Sequence, residues 1–149
     1  KMLDAADLER NDVVLELGSG LGYCTALLAH MVEDVVAVEV DEDLASEAEA
    51  TLADHGIDNA AVVTGALAAG YAKDGPYDAI FLFGGIEVFP DALADQLKDG
   101  GRIVGIFMNR AHGEVRVGLK SGGRLNWRME FNASAEILPG FERAETFSF

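Results

Sequence analysis

Basic residues are scarce in this sequence, where 11 Lys and Arg stand against 26 Asp and Glu in 149 residues, for a formal net charge of −15. A surface of that sign repels nucleic acid and anionic membrane, which are bound through basic patches, so neither is an expected partner. Cysteine is nearly absent. The single Cys24 cannot form an internal disulfide, which agrees with a reducing compartment and makes cytoplasm the expected location. No apolar run approaches the roughly 18 residues that a membrane span needs, and residues 1–11 are too polar and charged for a secretory signal. Also missing is any Gly-Lys-Ser or Gly-Lys-Thr triplet, which removes the P-loop reading. The length is that of a single domain over residues 1–149 with a substantial core.

What the sequence does have is Glu16-Leu17-Gly18-Ser19-Gly20-Leu21-Gly22-Tyr23, directly behind the apolar run Val13-Val14-Leu15. A β-branched run that flows into alternating glycines and then into a helix-period segment is how a cofactor loop opens an α/β sheet. The spacing separates the candidate ligands. A dinucleotide fingerprint, G-x-G-x-x-G, needs a third glycine where this sequence has Tyr23, so an NAD-dependent oxidoreductase is disfavoured. Glu16 at the strand end would repel phosphate and welcome a cation. S-adenosylmethionine has no phosphate and carries a sulfonium and an ammonium, while its carboxylate suits the amides that open the following helix. A ribose needs a carboxylate at the end of the next strand, about 20 residues on; Glu39, followed by Val40, ends the run Val35–Val38 and fits.

The remaining order is strand and helix in alternation. Residues 1–10 place Met2, Leu3, Ala6 and Leu8 on one side of a short helix, and a chain that begins inside such a helix reads as trimmed. Tyr23, Ala26, Leu27 and Met31 repeat at helical spacing, with Cys24 in the first turn, where a thiol pKa is lowered. Leu44, Ala45, Ala48 and Leu52 stripe a second helix from Asp41 to His55, which Gly56 stops. Ala61–Thr64 reads as a third strand leading to Gly65-Ala66-Leu67, where an adenine contact is expected. Tyr77–Phe83 reads as a buried strand, Gly84-Gly85-Ile86-Glu87 as a loop over its end, and Pro90 as the start of a helix through Leu93 and Leu97, closed by Gly100-Gly101. Arg102–Phe107 is the next strand. Alternation at Val115, Val117 and Leu119, the turn Ser121-Gly122-Gly123, and alternation at Leu125, Trp127, Met129 and Phe131 predict a closing hairpin. Its cluster of Arg110, Arg116, Lys120, Arg124 and Arg128 reads as edge-strand charge rather than a substrate site. The tail from Ile137 to Phe149 is apolar enough to pack back. The sum is an α/β fold: a seven-stranded, mostly parallel Rossmann-like sheet with helices on both faces and a C-terminal antiparallel hairpin.

Leu15–Tyr23, Val38-Glu39, Pro76–Ile80 and Leu93–Arg102, in this order, resemble the protein-L-isoaspartate O-methyltransferases over about residues 2–107. The resemblance implies the seven-stranded S-adenosylmethionine-dependent methyltransferase fold and methylation of isoaspartyl carboxyl groups in damaged proteins or peptides. It implies that Gly18, Ser19 and Gly20 line the methionine and ribose side, that Glu39 takes the ribose hydroxyls with Val40 beside it, and that Glu16 and Gly22 belong to the loop entrance. Ala66 and Leu67 fall at the adenine position. Two departures stand out: the family carries Gly-Asp-Gly where this sequence has Gly65-Ala66-Leu67, and its hydroxyl-bearing N-terminal substrate motif is not in this sequence. The alternative is a methyltransferase-like binding or assembly domain without isoaspartyl activity. Neither metal ligands nor an oligomeric state can be read from the pattern.

Overall fold

A computed structural model describes residues 2–143. Its strands are β1 (Val13–Leu17), β2 (Asp34–Glu39), β3 (Ala60–Thr64), β4 (Tyr77–Ile86), β5 (Leu97–Asn109), β6 (His112–Ser121) and β7 (Arg124–Asn132). They form one seven-stranded sheet in the order β3-β2-β1-β4-β5-β6-β7. The strands β1 to β5 are parallel and β6 and β7 antiparallel, as the change from helix connections to a glycine turn predicts. The order reverses between β1 and β4, and in such sheets the cleft at the carboxyl ends beside that reversal is where ligands bind.

Alternation along the central strands sorts side chains onto two faces. Val14, Val35, Ala79, Phe81 and Val104 point to one face, beneath α2 (Tyr23–Met31), while Ala37 and Val62 meet α3 (Glu42–Asp54). Leu15, Leu17, Val36, Val38, Ile80, Leu82 and Ile103 point to the other. That second face is covered by single turns, with Leu67 and Leu93 as anchors, and by Phe141 of the C-terminal segment. Both faces of the central strands are buried, which is why they read as continuous apolar runs.

Several local expectations change. The first helix, α1, is one turn (Met2–Ala5), because Asp7 adopts φ +51 and ends it, although Met2, Leu3, Ala6 and Leu8 do join one core cluster. On α2 the large apolar residues Tyr23, Leu27 and Met31 are exposed, together with Cys24 and His30, and the buried ones are Thr25, Ala26, Leu28 and Ala29. Close packing explains this in part: a Cβ on Gly22 would lie 3.0 Å from the Ala48 backbone, so small Ala26 meets α3 while Leu28 and Ala29 cover the sheet. The helix after Pro90 is also one turn, α4 (Asp91–Ala94), and Leu97 begins β5 by pairing with Tyr77. Leu93 and Leu97 are both buried, but from two different elements. β4 runs on through Ile86, so Gly84 and Gly85 are strand residues rather than a loop.

The hairpin forms as expected, and three of its cations, Arg116, Lys120 and Arg128, are spent locally. Arg116 pairs with Glu114 at 2.9 Å, Arg128 pairs with Glu130, and Lys120 Nζ donates to the Ala94 and Leu97 carbonyls. Of the tail, Ile137–Phe141 packs back: Gly85 N–H donates to the Glu136 carbonyl, Leu138 N–H to the Gly85 carbonyl, and Phe141 is fully buried. The rest of that expectation, from residue 144 on, lies outside the described residues. No helix among the described residues is long and apolar enough to cross a membrane.

Candidate functional site

The glycine loop turns at the carboxyl end of β1, and its geometry demands glycine at three places: Gly18, Gly20 and Gly22 have φ +87, +55 and +90, where a Cβ is strained. Their surroundings differ. A Cβ on Gly22 would strike Ala48, one on Gly18 would meet Leu138 Cδ2 at 3.2 Å, and one on Gly20 would meet nothing within 4 Å. Gly22 and Gly18 are therefore packing glycines, and Gly20 opens on space that a ligand can approach. Gly18 N–H donates to the Val38 carbonyl at 2.9 Å, which ties the loop to β2.

Glu39 ends β2 beneath this loop and is 5% exposed. Its Oε1 accepts the Gly20 N–H at 2.9 Å and its Oε2 accepts the Asp41 N–H at 3.1 Å. A carboxylate has about four acceptor positions, so capacity for hydroxyl donors remains. Val40, next in sequence, is exposed, and Asp41 caps α3 by accepting from Asp43 N–H and Leu44 N–H. The Glu39 carbonyl accepts the Gly65 N–H at 3.0 Å, bringing the start of Gly65-Ala66-Leu67 to the same edge. Ala66 is exposed there, while the Leu67 side chain is buried in the second-face core. Leu67 can thus offer only its backbone to a ligand.

Glu16 is not an open acid at the loop entrance. It is fully buried, Oε1 accepts the Thr25 hydroxyl, and Oε2 has no partner. Burial pushes its pKa from 4.5 up to about 7, against the Thr25 hydrogen bond and with a further push from the Glu39 charge. The Ser19 hydroxyl is likewise buried and unpartnered. At Cys24 the expectation is reversed: although the residue is exposed, partial desolvation of the thiol, and then the Glu16 charge, raise its pKa rather than lowering it. The first-turn amides of α2 have no side-chain cap, a favourable place for a carboxylate. Two orphaned polar atoms, an uncapped helix start and the open side of Gly20 together fit a ligand that carries hydroxyl, ammonium and carboxylate groups.

The sequence did not reveal two contributors. Gln96 bridges the segment after β3, its Nε2 donating to the Ala69 carbonyl at 2.8 Å and its Oε1 accepting Tyr71 N–H at 2.9 Å. Nothing in the pattern Leu93-Ala94-Asp95-Gln96-Leu97 signals this. Thr25, two residues into α2, is the partner of Glu16. An open depression of about 560 Å³ lined by Phe107, His112, Glu114, Arg116, Asn132 and Ser134, among others, lies at the far end of the same edge and includes no loop residue.

A sheet of this order with a glycine loop after β1 and an acid ending β2 defines the class, a Rossmann-like methyltransferase fold. The chain belongs to the protein-L-isoaspartate(D-aspartate) O-methyltransferase family, whose sequence model matches residues 1–128. It is 41% identical over 103 residues to the Opitutus terrae protein-L-isoaspartate O-methyltransferase, covering 69% of this chain and 44% of that one. The Vibrio parahaemolyticus enzyme of the same name is 41% identical over 104 residues, covering 70% and 50%. The chain thus spans about half the length of these relatives. Among solved structures, a protein-L-isoaspartate O-methyltransferase superposes with TM-score 0.87 at 25% identity, covering 93% of this chain and 45% of that one. A Plasmodium falciparum chain described as a beta-aspartate methyltransferase, in complex with S-adenosyl-L-homocysteine, shares the fold with TM-score 0.71 at 18% identity, covering 87% and 66%.

Proposed function

We propose that this chain is the S-adenosylmethionine-binding, catalytic-fold part of a protein-L-isoaspartate O-methyltransferase, acting as a single domain in the cytoplasm on isoaspartyl proteins or peptides. The observation that carries the reading is the Gly20 amide held on Glu39, because it joins the glycine loop to the acid suited to ribose at the edge where β1 and β4 diverge. The family's activity, named in its relatives, supports the reaction. S-adenosylmethionine supplies an electrophilic methyl group on a sulfonium. Glu39 accepts from the ribose hydroxyls, the α2 amides hold the carboxylate, and Glu16 faces the cationic end. Gly65, Ala66 and the Leu67 backbone border the adenine. A carboxylate acceptor is already a nucleophile, so what the residues must provide is alignment, and no general base is required.

The second reading, a methyltransferase-like binding domain, is favoured by one observation: Ala66 offers no side-chain acceptor where the family pattern has an aspartate. Incubating the chain with S-adenosylmethionine and paired isoaspartyl and aspartyl peptides decides between them. Methyl ester formation on the isoaspartyl peptide alone is the expected result. Cofactor binding without any transfer would favour the second reading.

A further inference from the structure

We propose that Glu16 becomes the counter-ion of a cationic ligand by giving up a proton, so that occupation of the glycine-loop site by an ammonium-bearing adenosyl amino acid is coupled to release of one proton to solvent. The inference rests on the cofactor reading above and extends it to the protonation of the site.

Glu16 is fully buried, and among the described residues no salt bridge reaches it. One oxygen holds the Thr25 hydroxyl; the other has no partner. A buried carboxylate left in that condition is costly to ionise and is kept neutral by its surroundings. Its neighbours reinforce this. From β2 comes the Glu39 carboxylate, and from α2 the Cys24 thiol, whose own ionisation is opposed by Glu16. β4 presents Phe81 at the paired register position, and α3 contributes Ala45 and Ala48 to this layer. Glu39 differs, since each of its oxygens accepts a backbone amide. The loop therefore rests on one acid with both oxygens hydrogen-bonded and one acid, Glu16, with an oxygen left unpartnered.

A cation within about 4–6 Å lowers a carboxyl pKa by roughly 1–3 units, enough to ionise Glu16, whose pKa is pushed up to about 7. The O–H bond of Glu16 breaks, its electron pair stays on the carboxylate, and the proton leaves to the buffer. The ligand arrives with its ammonium already charged and changes no bond. Between the lowered pKa of the occupied chain and the pKa of the free chain, affinity then rises by up to about tenfold per pH unit, and it levels off on either side.

Calorimetric titration of the chain with S-adenosylhomocysteine at pH 6, in phosphate and in imidazole, reads the proton directly, because the two buffers differ in ionisation enthalpy. Release of roughly 0.4 to 0.9 proton per site is expected at this pH for a lowering of 1–3 units, with none for adenosine, which lacks the ammonium, and none for Glu16→Gln. S-adenosylhomocysteine binding without proton release, or with the same release in Glu16→Gln, overturns the proposal and leaves the cofactor site standing. Absence of S-adenosylhomocysteine binding at every pH defeats the cofactor reading itself and the proposal with it. Carboxyl carbon NMR of the free chain gives an independent readout: a Glu16 midpoint near neutrality that falls when S-adenosylhomocysteine is added supports the coupling, and a midpoint in the ordinary carboxylate range overturns it.

Discussion

The Gly20 N–H donates to Glu39 Oε1 at 2.9 Å across nineteen positions of sequence. The bond fixes the most open glycine of the loop over the end of the neighbouring strand, so loop shape and acid position are set together. Gly22, two residues on, does different work: it lets α2 approach α3.

The two glycines should therefore fail differently. Gly20→Ala incurs only the left-handed backbone penalty, about 1–2 kcal/mol, since a Cβ there meets no protein atom within 4 Å. Gly22→Ala adds a clash with the Ala48 backbone at 3.0 Å and should cost roughly 2–4 kcal/mol. Urea denaturation of both variants checks the order; equal losses would show that the α2–α3 contact is looser than described.

Glu16→Gln should flatten the pH dependence of stability. The folded-state pKa of Glu16, about 7, lies above the ordinary carboxyl value of 4.5, so across this window the folded chain holds a proton that the unfolded chain has lost. Stability contributed by the neutral acid is full below pH 4.5 and is lost as pH rises through 7, a fall on the order of 3 kcal/mol. Gln cannot ionise, so the variant should be the more stable form at pH 8, while the two should converge near pH 4.5. Thermal melts across pH 4.5–8 test this, and a wild-type curve with no such fall contradicts it.

Gly85→Ala should release the C-terminal segment. A Cβ at Gly85 would stand 2.8 Å from the Ala135 carbonyl oxygen and from Met108 Cγ, in the space where the segment pairs with β4. Limited proteolysis should then cut between residues 133 and 140 faster than in the wild type, with the glycine-loop region still protected.

Gln96→Ala should loosen the segment after β3. It leaves the Ala69 carbonyl and the Tyr71 amide without their partners, a loss of roughly 2–4 kcal/mol for two part-buried groups. Hydrogen exchange at the Tyr71 amide should accelerate more than exchange in β1 or β2.

How much of this was legible depended on whether a residue's role was local. Val13–Tyr23 and Val35–Glu39 read correctly because strand, glycine turn and following helix leave a contiguous signature, and the hairpin read correctly because alternation and a Gly-Gly turn do the same. Leu93 and Leu97 misled because a spacing of four suits a helix, yet Leu97 pairs with Tyr77 as a strand residue. Tyr23, Leu27 and Met31 misled because hydrophobicity alone does not orient a helix, while the close approach of Gly22 to Ala48 turns Ala26 toward α3 and Leu28 toward the sheet. The neutral tendency of Glu16 was hidden altogether: an acid's charge is set by burial and by Thr25, which appear only in three dimensions.

The most direct test of the cofactor site is calorimetric titration of the chain with S-adenosylhomocysteine beside a Gly20→Val control, each shown to be folded by circular dichroism. Micromolar binding by the wild type is expected, with its loss in the control, whose side chain fills the open side of the loop. A folded wild type that does not bind, or a control that binds as well, would contradict this expectation.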